Sequence, residues 1–201
     1  EELLDAPDIE DQFYAPYPLG KNGLAPAESV DPGRVRFEPL FDKMYGDCRK
    51  GEVAGRMAKV AWLPKHGGGS VMITRVNGAD KAVAAVSAEL DELPEAMMMY
   101  LKPSSGTYNC RVIAGTARTS VHAYGAAIDI NSAHASYWRW EKPDAAGRTP
   151  YRNAIPIEIV EVFERHGFIW GGKWYHYDTM HFEYRPELIA LAKSRQGATP
   201  P

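Results

Sequence analysis

Hydrophobic and polar positions divide the chain into stretches of different character. Over residues 1–45, prolines at 7, 16, 18, 26, 32 and 39 interrupt every incipient period. The pattern predicts an extended arm that wraps the rest of the chain, with one short helical turn at Pro39–Tyr45. From Val60 the pattern sharpens into two β-prone runs, 60–63 and 70–76, on either side of Pro64-Lys65-His66-Gly67-Gly68-Gly69. This predicts a β-hairpin. The three glycines do not read as a phosphate loop, because no GxxxxGK[ST] is present and both flanks are strand-like.

Three helices follow. Asp80 is the expected N-cap of a helix that carries Val83, Val86, Leu90 and Leu93 on one stripe and stops at Pro94. A second starts after Pro156, presents Ile159, Val162 and Phe163, and ends at Gly167, a residue suited to a left-handed C-terminal position. A third begins at Pro186 with Leu188, Ile189 and Leu191, before a polar tail at Ser194–Pro201. Strands and helices in this order predict an α+β fold, a small antiparallel sheet flanked by helices, with residues 46–201 as a single domain.

Composition narrows the function classes. A chain of 201 residues buries roughly 70% of its unfolded surface, so neither metal nor disulfide is required for folding, and a metal would point to function. A net charge of −3 excludes a nucleic-acid binder built on bulk positive charge. The 45% hydrophobic content excludes a disordered chain, and no apolar run approaches a membrane span. The start at Glu1, without Met or apolar leader, fits a mature exported protein or a trimmed one. Cys48 and Cys110 are either one disulfide closing a long loop or two separate buried thiols; neither lies in a CxxC.

The chemistry is concentrated in two segments. Residues 120–131 read Ser-Val-His-Ala-Tyr-Gly-Ala-Ala-Ile-Asp-Ile-Asn. After Gly125 the run alternates, with Ala126, Ile128 and Ile130 on one face and Ala127, Asp129 and Asn131 on the other. The turn that Gly125 permits brings His122 and Asp129 to a common point. Residues 170–184 end in a strand, His181-Phe182-Glu183-Tyr184, entered from a turn at Asp178. A catalytic zinc site needs three protein ligands, an open position for water and a carboxylate that takes the water's proton. His122, Asp129 and His181 supply the ligands and Asp178 the base. Two other readings stand beside this one: the histidines are structural, or Ser120, His122 and Asp129 form a serine hydrolase triad, although the Gly-x-Ser-x-Gly elbow is missing.

The string Ser120-x-His122-x-x-Gly125-x-Ala127-x-Asp129, followed by Asp178-x-x-His181-Phe182-Glu183, resembles the zinc D-alanyl-D-alanine metallopeptidases. That family includes D,D-carboxypeptidases and L-alanyl-D-glutamate endopeptidases, and shares its fold with the Hedgehog signalling domain. The resemblance spans residues 104–188 and leaves the arm and hairpin unexplained. It implies a Hedgehog/D,D-peptidase-like fold, Zn2+ on His122, Asp129 and His181, and Asp178 as general base. It also implies an upstream arginine on the substrate carbonyl, for which Arg111 is preferred over Arg118, since the β-prone Arg111-Val112-Ile113 run is expected to form a strand facing the site. Ser120, Arg118, His176 and Glu183 are the expected substrate-facing residues. The implied substrate is the peptide stem of peptidoglycan, in the periplasm or outside the cell. A binding module on the same fold is the non-enzymatic alternative.

Overall fold

The computed structural model describes residues 2–197. Its helices are α1 (Glu2–Asp5), α2 (Glu38–Tyr45), α3 (Ala79–Leu90), α4 (Met98–Leu101), α5 (Ile157–Arg165) and α6 (Pro186–Gly197). The strands are β1 (Met57–Ala61), β2 (Ser70–Thr74), β3 (Ala127–Asp129), β4 (Phe168–Trp170) and β5 (His181–Tyr184). β1 and β2 pair as the expected antiparallel hairpin. β3, β5 and β4 form a second antiparallel sheet with β5 in the middle. The fold is α+β, small antiparallel sheets flanked by helices. Among the described residues no helix is long and apolar enough to cross a membrane.

The period-2 geometry of β5 divides the molecule. Phe182 and Tyr184 point to the main core, with Ile128 on β3 and Phe168 and Trp170 on β4 as their cross-strand neighbours. There Phe163 of α5 stacks on Phe182 at 3.8 Å between ring centroids, and Val83, Val86 and Leu90 of α3 complete the layer. His181 and Glu183 point to the other face, opposite Asp129 and Ala127. A polar site therefore shares a strand with the hydrophobic core.

The arm is more structured than an extended strap. Its helix α2 covers the expected turn and packs Phe41 and Tyr45 against Val121 and Tyr124. Tyr17 sits with Ile169, Trp174, Leu188 and Ile189. A buried cluster fastens it: Lys173 Nζ donates to Pro18 O and Gly20 O at 2.7 Å and to Glu164 Oε1 at 2.6 Å, and Tyr17 Oη donates to the same carboxylate at 2.8 Å. Every hydrogen-bond partner of the fully buried ammonium is an oxygen, which offsets part of its desolvation.

Several local expectations change. α3 starts at Ala79 with Gly78 as its N-cap, so Asp80 lies in the first turn, where its charge favours the helix dipole without capping it. α6 runs on through Gly197, so the polar stretch from Ser194 begins as helix, and the rest of that tail, like Glu1, lies outside the described residues. The β-prone Arg111-Val112-Ile113 run makes a single bridge, Val112 to Thr119, and no strand. β4 had no sequence signal, since three consecutive buried residues show no alternation. Cys48 and Cys110 are joined in a disulfide across 62 residues.

Candidate metal centre

Ser120 caps a single 3-10 turn, Val121–Tyr124, by accepting the His122 backbone N–H at 3.4 Å. Gly125 ends that turn at φ +65°, and a Cβ there would lie 2.6 Å from the Met57 thioether, so only glycine lets the chain reverse into β3. The reversal sets His122 beside Asp129. Register places Asp129 directly opposite His181 on β5, which brings cross-strand side chains together on one face.

Three ligand atoms converge. His181 Nδ1 lies 2.9 Å and His122 Nε2 3.2 Å from Asp129 Oδ1, and the two nitrogens are 3.1 Å apart. The other ring nitrogens are committed: His122 Nδ1 donates to the Thr107 carbonyl, and His181 Nε2 to Glu183 Oε1 at 3.0 Å. These outer partners fix the tautomers so that both free lone pairs face the carboxylate. Three electron-rich atoms brought this close need a cation among them, and two imidazoles with a carboxylate suit zinc. The residues present fit the ion, and the group His122, Asp129 and His181 could hold a metal.

The electrostatics agree. Burial works against charge on Glu183, but the Arg36 guanidinium, 3.0 Å away, and the His181 N–H outweigh it and hold the carboxyl down at about 2. Burial likewise disfavours charge on His181, yet Asp129 and Glu183 push the imidazole up to about 10. In metal-free protein a proton therefore occupies the place a cation would take, and metal binding expels it. Asp178 stands apart from this pairing. Its Oδ1 is buried with no hydrogen-bond partner among the described residues, and burial pushes the carboxyl up to about 6, into the range suited to proton transfer near neutrality. Gly171 makes room for it: a Cβ there would meet the Asp178 carbonyl oxygen at 2.6 Å.

One cavity of about 460 Å³ holds Ser120, His122, Asp129, His176, Asp178, His181, Glu183 and Arg111 in its lining. Arg111 is exposed at the rim and donates to the Val112 carbonyl. Arg118 lies outside it, in a neighbouring cavity of about 1100 Å³. Glu183, expected to face substrate, is 1% exposed and lies behind His181. The Ser120 hydroxyl meets a backbone N–H, and both His122 ring nitrogens are engaged elsewhere, so the serine–histidine pair of a triad is not formed.

The arm contributes residues the sequence did not single out. Asp31 accepts the His176 backbone N–H at 2.9 Å and its Nδ1–H at 2.6 Å, and Nε2 has no hydrogen-bond partner among the described residues. Arg34 and Arg36 line the cavity. Their one signal was the charged-apolar-charged alternation of Arg34-Val35-Arg36 in an otherwise aperiodic stretch.

Neither the curated proteins nor the solved structures gave a significant match to the chain. Residues 114–184, about a third of the chain and the stretch carrying all three converging side chains and Asp178, match the family model described as D-alanyl-D-alanine carboxypeptidase.

Proposed function

We propose that the protein is a zinc-dependent peptidase acting on the peptide stem of peptidoglycan, as a D-alanyl-D-alanine carboxypeptidase or a stem-peptide endopeptidase. The observation that carries this is the buried Asp178 carboxylate, whose Oδ1 has no hydrogen-bond partner among the described residues, in the cavity where three ligand atoms converge. His122, Asp129 and His181 would hold the zinc, which when bound would supply Lewis-acid polarisation of the scissile carbonyl and a more acidic water. Asp178 takes the proton from the attacking water and returns it to the leaving amine. Thr107 and Glu183 hold the two histidines in the ligating tautomer. His176, oriented by Asp31, lines the cavity beside the substrate, and Arg111 reaches the same region from the rim to meet charge that develops on the substrate oxygen. Ser120 keeps the His122 turn in place beside bound peptide. The disulfide fits an oxidising compartment, the periplasm or the cell exterior.

Defined muropeptides incubated with zinc-loaded protein and analysed by mass spectrometry test this reading, since the mass lost identifies the bond. Asp178→Asn is expected to retain zinc while turnover falls by about 10²–10⁴-fold. If fully loaded protein cleaves no stem peptide of any length, the reading is wrong.

A further inference from the structure

The larger cavity, about 1100 Å³, abuts the metal cavity, and Arg34, Arg36, Trp138 and His176 line both. Its walls come from the arm on one side and from Gly115–Arg118 and Trp138–Arg139 on the other. Arg34, Arg36 and Arg118 all line it, and burial together with the like charges of Arg34 and Arg36 lowers Arg118 from its ordinary value. Nearby acids are mostly spent elsewhere. Asp31 is bound to His176 and Arg34, Glu38 accepts from Thr119 N–H and Oγ1–H, and Arg36 is bound to Glu183.

Arg118 is the exception. Its side chain is 14% exposed, and its Nε is buried without a hydrogen-bond partner among the described residues. The carboxylate of Asp5, itself 64% exposed on α1, reaches to 3.3 Å of that nitrogen but is too poorly aligned to bond it. An arginine pressed by two like charges and met only by a loose carboxylate of the chain itself has the donor set and the vacancy for a better one.

We infer that this cavity is a carboxylate subsite: Arg118, with Arg34 beside it, binds a carboxylate of the substrate peptide remote from the scissile bond, and Asp5 is the internal carboxylate that yields to it. The inference rests on the peptidase reading and deepens it. It selects stem peptides that carry a free carboxylate besides the one next to the cut, and it gives the arm a part in specificity.

The test is calorimetric binding, in the slowed Asp178→Asn background, of a stem pentapeptide with free carboxylates and of the same peptide in which only the carboxylates remote from the scissile bond are converted to carboxamides. The free acid should bind about tenfold tighter or more. Arg118→Gln should erase that gap, and Asp5→Asn, at an exposed position that does not endanger the fold, should tighten binding of the free acid alone. A gap that survives Arg118→Gln, or free-acid binding that Asp5→Asn leaves unchanged, overturns the inference. If the gap behaves as stated while zinc-loaded wild-type protein cleaves no stem peptide, the hydrolytic reading fails and the carboxylate subsite stands.

Discussion

Glu183 has no surface to offer a substrate: it lies between Arg36 and His181, and its charge holds the imidazole in place. Glu183→Gln keeps the shape but removes the charge that makes His181 a strong ligand. Zinc affinity should fall about 10–100-fold, read by competition with a chromophoric chelator, while circular dichroism reports whether the fold is kept. An unchanged affinity would mean that the carboxylate only neutralises Arg36. At this scale the side chains that converge are legible in the sequence and their supports are not. His122, Asp129, Asp178 and His181 sit in two short runs whose residue types and spacing carry chemistry. Arg36 meets Glu183 across 147 residues and Asp31 meets His176 across 145, and no local pattern encodes such a meeting.

The elements with a strong period are the ones the sequence predicts: α3, α5, β5, the start of α6 and the hairpin, whose first strand lies at Met57–Ala61, three residues earlier than the run 60–63 suggests, with Trp62 and Leu63 buried in the core beyond its end. Those missed or misplaced, β4, α4 and the cap of α3, are short or depend on a residue held in place by packing. The arm is the element whose importance grew most. Burial alone would raise the Asp31 carboxyl, but the hydrogen bond from His176 and the charge of Arg34 outweigh it and leave it below the usual carboxylate range. A depressed folded pKa stabilises the protein above the unfolded value of about 3.9, and the contribution is lost as pH falls through the folded value. Asp31→Asn should therefore cost about 1–3 kcal/mol at pH 7, and the difference from wild type should shrink below about pH 4. Urea denaturation of both proteins from pH 7 to 3 checks this; a difference that stays constant with pH would mean that Asp31 contributes by shape alone.

For the whole molecule, two linkages can be separated. The disulfide ties Cys48, just after α2, to Cys110, in the segment whose Thr107 carbonyl fixes His122. Closing a loop of 62 residues stabilises by up to about 4 kcal/mol through the unfolded chain. Cys48→Ser with Cys110→Ser should lower the unfolding free energy by up to that amount and weaken zinc binding as well, because the His122 support loosens. Metal removal should act differently. With a core running from Trp62 through Phe163 to Trp170, chelated protein is expected to keep its circular dichroism while its Tm falls only by the linkage of zinc to the native state. Collapse of the spectrum on chelation would show that the ion is structural.

The sequence by itself determined the α+β class, the hairpin, the main helices and the two short runs that carry His122, Asp129, Asp178 and His181, because helix and strand periods and closely spaced polar residues are local properties of a chain. Only the tertiary structure decided that Cys48 and Cys110 are joined, that Glu183 and Thr107 serve the histidines, that Arg118 stands in a second cavity, and that the arm walls the site with Asp31, Arg34 and Arg36. The disulfide spans 62 residues and the arm meets Glu183 and His176 across well over a hundred, set by how the arm and loops close over the sheet; such meetings leave no periodic trace in the sequence, and even Glu183, two residues from His181, is turned from a substrate-facing group into a support only because the arm covers it.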